Sequence, residues 1–166
     1  MPLKMENLSI LVAEDVQPMR EIIVRILTEL GVGQVYAAKN GRQAFQLFCR
    51  AEPDIVIADW HMPVEDGLEL VQKIRTDPHS PNKLTPFILV TGYGSELRVG
   101  GARDKGITEY LVKPFSAEDL IKRITHVINA PRDFIDAEEY FGPDRRRRKG
   151  DFYDGDRKRE TDLFEE

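Results

Sequence analysis

The chain has 166 residues, with 24 basic and 29 acidic side chains that give a formal net charge of −5. This length suffices for one domain and an appendage, and the lack of a basic excess argues against a nucleic-acid-binding protein. The single cysteine, Cys49, excludes an internal disulfide and fits a reducing compartment. No apolar run approaches the roughly 20 residues of a membrane span, and the first residues lack the core of a signal peptide. These features predict a cytoplasmic protein without a membrane partner.

Apolar segments alternate with amphipathic ones through most of the chain. Strands are predicted at residues 8–13, 34–38, 54–59, 86–91 and 108–112. Helices are predicted at residues 18–30, 40–50, 67–75, 95–105 and 116–129. Pro18 suits the first turn of a helix, Asn40 can cap the second helix, and the prolines Pro78 and Pro81 prevent continuation of the third. Strand and helix therefore alternate five times.

The predicted strands are apolar on both faces, which is typical of a parallel sheet covered by helices on both sides. The predicted fold class is therefore α/β, a five-stranded, doubly wound parallel sheet within residues 1–130. Right-handed crossovers place the carboxyl ends of all strands at one edge of the sheet. Open sheets of this class bind their ligands at that edge.

Chemically reactive side chains occur at the ends of four of these strands. In chain order they are Glu14, Asp15, Asp59, Thr91 and Lys113. Three carboxylates suit Mg²⁺, which accepts few protein carboxylates and bridges to phosphate. Asp59 is the predicted phosphoacceptor, because a carboxylate can attack phosphorus and hold the phosphoryl group as an acyl phosphate. The ammonium of Lys113 and the hydroxyl of Thr91 are predicted to meet the negative charge of the transferred group.

Three nearby side chains allow more than one interpretation. His61 is expected to supply only its backbone carbonyl to the cation, with a catalytic or metal-binding side chain as the alternative. Trp60 is expected to pack beside the site, partly exposed, and less to serve as a substrate platform. Tyr110 suits a core position and a partly exposed switch equally well.

Residues 131–166 differ in composition from the rest of the chain. Nine basic and twelve acidic residues give this C-terminal tail a net charge of −3. The tail cannot bury much of a core, so it is predicted to be partly disordered or docked. Its stretch 133–140 is compatible with a short helix, and a fully disordered, solubilising tail is the alternative. A partner-binding element is predicted from Phe134, Tyr140, Phe141, Arg145, Arg146, Arg147 and Arg148.

The strand-end residues stand in an ordered set of motifs. These are Glu14-Asp15, Asp59-Trp60-His61-Met62-Pro63, Asp66-Gly67, Thr91-Gly92 and Tyr110 through Pro114. The set resembles the receiver domain of two-component response regulators, especially the chemotaxis-type single-domain proteins, over about residues 6–130. Gly92 departs from the pattern, because the family commonly has alanine there. The resemblance implies a flavodoxin-like (βα)₅ receiver fold.

The resemblance also implies a function. A histidine kinase or histidine phosphotransferase would transfer a phosphoryl group to Asp59 in a Mg²⁺-dependent reaction. Thr91 would then move toward the phosphoryl group while Tyr110 turns inward, and both are expected to act as switch residues. The signal would pass to a downstream protein target through the helix at 95–105, the fifth strand and the last helix. Such a protein is no enzyme beyond its own phosphorylation and dephosphorylation.

Two other function classes fit the sequence less well. Haloacid-dehalogenase-like phosphatases also form an aspartyl phosphate, but they need a second aspartate where this chain has His61. A nucleic-acid regulator could use the phosphate contacts of Arg145–Lys149, but acidic residues flank that run on both sides. Both classes are disfavoured relative to a phosphoryl-switched signalling protein, and nucleic acid is not an expected partner.

Overall fold

The computed structural model describes residues 4–92, 106–129, 134–137 and 140–143. A short 3₁₀ turn, Met5–Asn7, precedes the first strand. The strands are β1 (Ser9–Ala13), β2 (Gln34–Ala38), β3 (Ile55–Asp59), β4 (Phe87–Thr91) and β5 (Glu109–Val112). The helices are α1 (Gln17–Glu29), α2 (Gly41–Ala51), α3 (Gly67–Thr76) and α4 (Ala117–Asn129). Each of these five strands and four helices agrees with its predicted bounds to within one residue. The helix predicted at 95–105 lies outside the described residues, so α4 is the last predicted helix.

The five strands form one parallel sheet in the order β2-β1-β3-β4-β5. Because β1, β3 and β4 are central and apolar on both faces, nearly all their residues are buried. The parallel register brings Asp59 beside Val90 and Thr91 beside Val112. The predicted fold class, a doubly wound five-stranded sheet, is confirmed.

Helices cover both faces of the sheet, and alternate residues of each strand contribute to two cores. In β3, Val56 and Ala58 face the core that α2 and α3 complete, whereas Ile55 and Ile57 face the core completed by α1 and α4. The helical contributions include Phe48 and Leu70 on one side and Ile23, Leu27, Leu120 and Ile124 on the other. No helix within the described ranges is both long and apolar enough to span a membrane.

Side-chain caps define where the helices begin. The Asn40 carboxamide accepts a hydrogen bond from the Gln43 amide at 2.8 Å, as the sequence predicts. Asp66 and Glu69 form a reciprocal capping box at the start of α3. These caps lie at the ends of the loops that run from the carboxyl edge of the sheet.

The tail contains an antiparallel hairpin formed by β6 (Phe134–Ala137) and β7 (Tyr140–Pro143). The prediction of a helix-compatible stretch at 133–140 was therefore wrong. Its aromatic and β-branched residues favour extended backbone, and a hairpin satisfies their backbone groups in pairs. Cα atoms of β7 lie within 8 Å of Cα atoms of α3. The basic residues Arg145–Arg148 lie outside the described residues.

Candidate functional site

Three carboxylates converge at the carboxyl edge of the sheet. One oxygen each from Glu14, Asp15 and Asp59 lies within 4.8 Å of the others. Glu14 and Asp15 follow β1, and Asp59 ends the adjacent strand β3, so the parallel pairing of these strands creates the cluster. Hard oxygen ligands at this spacing suit a small divalent cation such as Mg²⁺. The structure thus brings together all three carboxylates that the sequence predicted as ligands.

Most of the polar atoms of Glu14 form hydrogen bonds. It is 1% exposed, its amide donates to the Ala38 carbonyl at 3.0 Å, and its Oε2 accepts from the Val16 amide at 3.2 Å. Arg20 Nη1 donates to the Glu14 carbonyl at 2.8 Å. Within the described part of the chain, the buried Oε1 makes no hydrogen bond. A buried oxygen left in this way fits a cation-binding position, because such atoms are otherwise paired.

Lys113 extends its ammonium into the carboxylate cluster. Its Nζ lies 2.9 Å from Asp59 Oδ1 and 3.5 Å from Glu14 Oε1. The first contact is a charge-assisted hydrogen bond, whereas the second is an ion pair too long for a good hydrogen bond. The backbone fixes Lys113 as well, because its amide donates to the Thr91 carbonyl at 2.8 Å. The predicted proximity of Lys113 to Asp59 is therefore present in the structure.

Burial and crowding perturb the charged groups of the cluster. Burial raises the pKa of Asp59, and Lys113 opposes this rise by a hydrogen bond and by its charge. Burial and the charge of Asp59 raise the pKa of Glu14, while the Val16 amide and Lys113 lower it. Burial lowers the pKa of Lys113, but contacts with Asp59 and Glu14 outweigh that effect and leave the pKa raised. The ionised carboxylates are thus incompletely compensated, which favours binding of a cation.

Thr91 lies on β4, the strand next to that of Asp59, and Tyr110 lies on β5, one strand further out. Thr91 is 1% exposed at the end of β4, and the Trp60 amide donates to the carbonyl of the preceding residue, Val90, at 2.8 Å. Tyr110 is partly buried against the core under α2 and α3. Both interpretations of Tyr110, core residue and switch, remain compatible with this position. The switching roles of Thr91 and Tyr110 stay predictions.

The loop after β3 is shaped by close contacts. A Cβ added to Gly67 would meet the Asp59 carbonyl oxygen at 2.5 Å, so only glycine allows α3 to begin this close to β3. The rings of Trp60 and His61 stack with centroids 5.4 Å apart, and Trp60 packs against the core as expected. Val64 has a φ of 70°, and the Glu65 amide donates to the Pro63 carbonyl at 2.8 Å. Cation binding by the His61 carbonyl stays a prediction.

Two structural features of this region were missed by sequence reasoning. The bond from Arg20 to the Glu14 carbonyl joins residues six apart across the start of α1, and no short motif signals it. The tight turn at Val64 was missed because a β-branched residue rarely adopts positive φ.

Comparisons with known proteins identify the family of the chain. The response regulator receiver domain family matches residues 10–125. Chemotaxis protein CheY1 of Helicobacter pylori is 36% identical over 122 residues, which cover 73% of this chain and 97% of that protein. Chemotaxis protein CheY-3 of Vibrio cholerae is 30% identical over 122 residues, covering 74% of this chain and 92% of that protein.

Solved structures give the same result for the fold. Chemotaxis protein CheY4 of Vibrio cholerae superposes with a TM-score of 0.66 at 31% identity, covering 72% of this chain and 98% of that one. The receiver domain of sensor histidine kinase PA1611 from Pseudomonas aeruginosa, with a magnesium ion coordinated in its active site cleft, has a TM-score of 0.63. It is 28% identical and covers 72% of this chain and 94% of its own. The chain therefore belongs to the response regulator receiver domain family of two-component signalling, and its receiver domain is of the chemotaxis, CheY-like type.

Proposed function

We propose that this protein accepts a phosphoryl group on Asp59 from a histidine kinase or histidine phosphotransferase in a Mg²⁺-dependent reaction. The observation that carries the proposal is the contact of 2.9 Å between Lys113 Nζ and Asp59 Oδ1 inside the carboxylate cluster. CheY-like receiver domains act with histidine kinases and downstream targets, and this chain has the side chains for the same chemistry.

The metal site is proposed from the donors themselves. Glu14, Asp15 and Asp59 are the residues that would hold Mg²⁺. The backbone carbonyl of His61 is proposed as a further ligand. When bound, the ion supplies positive charge to the oxygens of the transferred phosphoryl group. The buried Glu14 Oε1, which makes no hydrogen bond within the described ranges, supports the assignment. The magnesium ion in the related PA1611 receiver domain supports it independently.

The protein residues have distinct roles in the proposed reaction. A carboxylate oxygen of Asp59 forms a bond to phosphorus while the bond from phosphorus to the donor's histidine nitrogen breaks, and an acyl phosphate results. Lys113 is placed to move from the carboxylate to a phosphoryl oxygen, where its charge is needed. The hydroxyl of Thr91 is the second donor. His61 stands where a phosphatase of the dehalogenase type needs an aspartate, so we propose no catalysis on separate substrates.

The signal is proposed to leave through the face formed by β5 and α4, together with the helix that the sequence predicts at 95–105, which lies outside the described residues. On this face Val112 is 42% exposed, which suits contact with a protein partner. Glu109 pairs with His126 at 3.0 Å and with Arg123 at 3.5 Å, so β5 and α4 are joined as one surface. We propose that the tail residues Phe134, Tyr140, Phe141 and Arg145–Arg148 add to partner binding.

Labelling with a small phosphodonor tests the proposal. Acetyl phosphate should label the wild-type protein in the presence of Mg²⁺, and either a chelator or the substitution Asp59→Asn should abolish labelling. Asp54→Asn is the matched control, because Asp54 precedes the opposite end of β3 and bonds to the Ser9 amide at 2.9 Å. Undiminished labelling of the Asp59→Asn protein would refute the assignment of the phosphoacceptor.

A further inference from the structure

The loop between β1 and α1 carries two of the three carboxylates. The helix that follows it, α1, begins without a side-chain cap among the described residues, and the residue before it is Val16. Helix starts of this kind are normally fixed by a serine, threonine, aspartate or asparagine. The position of Glu14 and Asp15 must therefore be fixed by other contacts.

Those contacts come from both sides of the loop. On one side, the Glu14 amide donates to the Ala38 carbonyl at the end of β2 at 3.0 Å. On the other side, Arg20 Nη1 donates to the Glu14 carbonyl at 2.8 Å. The Arg20 amide is itself bonded to the Val16 carbonyl at 2.9 Å, so the first turn of α1 anchors the arginine. A charged donor makes this a stronger bond than one between neutral groups.

We propose that Arg20 is a positioning residue for the divalent cation, acting through the Glu14 backbone. Both main-chain groups of Glu14 are bonded and its Oε2 is held by the Val16 amide, so among the described residues Oε1 is the carboxylate oxygen without a hydrogen bond, with Lys113 Nζ as its ion-pair partner at 3.5 Å. Loss of the Arg20 bond frees the carbonyl and lets the loop carry Oε1 away from Asp59. This inference rests on the proposed Mg²⁺ site.

The charge of Arg20 has the opposite effect on cation affinity. Removing a positive charge near three carboxylates lowers the repulsion felt by Mg²⁺, so electrostatics alone predicts tighter binding. Removal of a positioning residue should instead weaken Mg²⁺ binding, because the loss of a group that orients a metal ligand typically lowers metal affinity by about 10- to 100-fold. The two explanations therefore differ in sign.

The test is a Mg²⁺ titration of the full chain, followed by the fluorescence of Trp60, the single tryptophan, which adjoins Asp59. Arg20→Met should weaken Mg²⁺ binding about tenfold. Arg25→Met is the control, because Arg25 is exposed on the same helix and its loss changes the charge equally. Arg25→Met should leave the affinity unchanged or slightly tighter.

Arg20→Lys provides a second variant in case Arg20→Met does not fold. Lysine keeps the charge but has a shorter side chain without the guanidinium fork, so it should also weaken Mg²⁺ binding. Folded fractions are compared by circular dichroism, and affinities are taken only from folded protein. Wild-type or tighter affinity in the folded Arg20 variants would overturn the inference. Absence of Mg²⁺ binding to the wild-type protein would instead overturn the proposed metal site.

Discussion

Arg75, in the last turn of α3, should be essential for the stability of the folded protein although it is not part of the carboxylate cluster. Its side chain is 2% exposed, and its guanidinium donates to main-chain carbonyls from two other segments. Nε and Nη2 donate to the Gly106 carbonyl at 3.2 and 2.9 Å. Nη1 donates to the carbonyls of Thr85 at 2.7 Å and Lys83 at 2.9 Å. One side chain thus connects α3 to the segments that precede β4 and β5.

The expected loss of stability follows from these bonds. Arg75→Met keeps much of the apolar volume but leaves the buried carbonyls of Thr85 and Gly106 without this donor. An unsatisfied buried acceptor costs about 1–3 kcal/mol, so two give about 2–6 kcal/mol. The substitution also removes the desolvation penalty of a buried cation, which moves the net loss toward about 2–4 kcal/mol. Small domains are stable by only about 5–15 kcal/mol, so the effect is large.

Urea denaturation followed by circular dichroism measures this loss as a change in the free energy of unfolding. Arg42→Met is the matched control, because Arg42 is exposed on α2 and should change stability by no more than about 0.5 kcal/mol. A loss for Arg75→Met no larger than that of the control would refute the reasoning. It would mean that the guanidinium bonds merely replace equally good interactions with water.

Four further predictions concern the site and the tail. Lys113→Ala should leave Mg²⁺ affinity equal or up to about tenfold tighter, because a cation 2.9 Å from Asp59 is removed; collapse of Mg²⁺ binding in a titration would contradict this. His61→Ala should speed self-dephosphorylation of the labelled protein, because the stacked ring is expected to obstruct the approach of water; an unchanged phosphoryl lifetime would exclude such shielding. Apparent Mg²⁺ affinity should fall as pH is lowered from 7 through the raised pKa values of Asp59 and Glu14, because protons and cation compete for the same oxygens; a flat profile over that range would show that neither carboxylate binds the ion. Truncation after Ala130 should lower the melting temperature, because β7 lies close to α3; an unchanged melting temperature would argue against a docked hairpin.

The sheet and the carboxylate cluster were predictable because both depend on local patterns. Apolar runs on β1, β3 and β4 predict buried parallel strands, and a parallel sheet places all carboxyl ends at one edge. Asp59, Thr91 and Lys113 were therefore expected at one edge of the sheet, and the strand order β3-β4-β5 makes them neighbours. The structure adds the register and the distances, such as the 2.8 Å bond from the Lys113 amide to the Thr91 carbonyl.

The contacts of the two arginines and the structure of the tail were not predictable in this way. Arg20 and Arg75 look like ordinary charged residues of amphipathic helices, and only the tertiary fold shows which carbonyls they reach. The segment 133–140 contains Phe134, Ile135 and Tyr140, which favour extended backbone, but this preference depends strongly on tertiary context. The antiparallel pairing of β6 with β7 decided that case, and a partner strand cannot be identified from the propensity of single residues.

The electrostatics of the carboxylate cluster indicate the order in which ligands are accepted. When ionised, three carboxylates and the ammonium of Lys113 carry a net charge of −2, and burial has already raised the pKa values of Asp59 and Glu14. An anionic phosphodonor approaching this cluster is repelled until that charge is compensated. A divalent cation matches the charge and removes the repulsion, so cation binding should precede phosphoryl transfer. Lys113 alone cannot do this, because it is already paired with Asp59 and becomes available to the phosphoryl group only when that pairing is released.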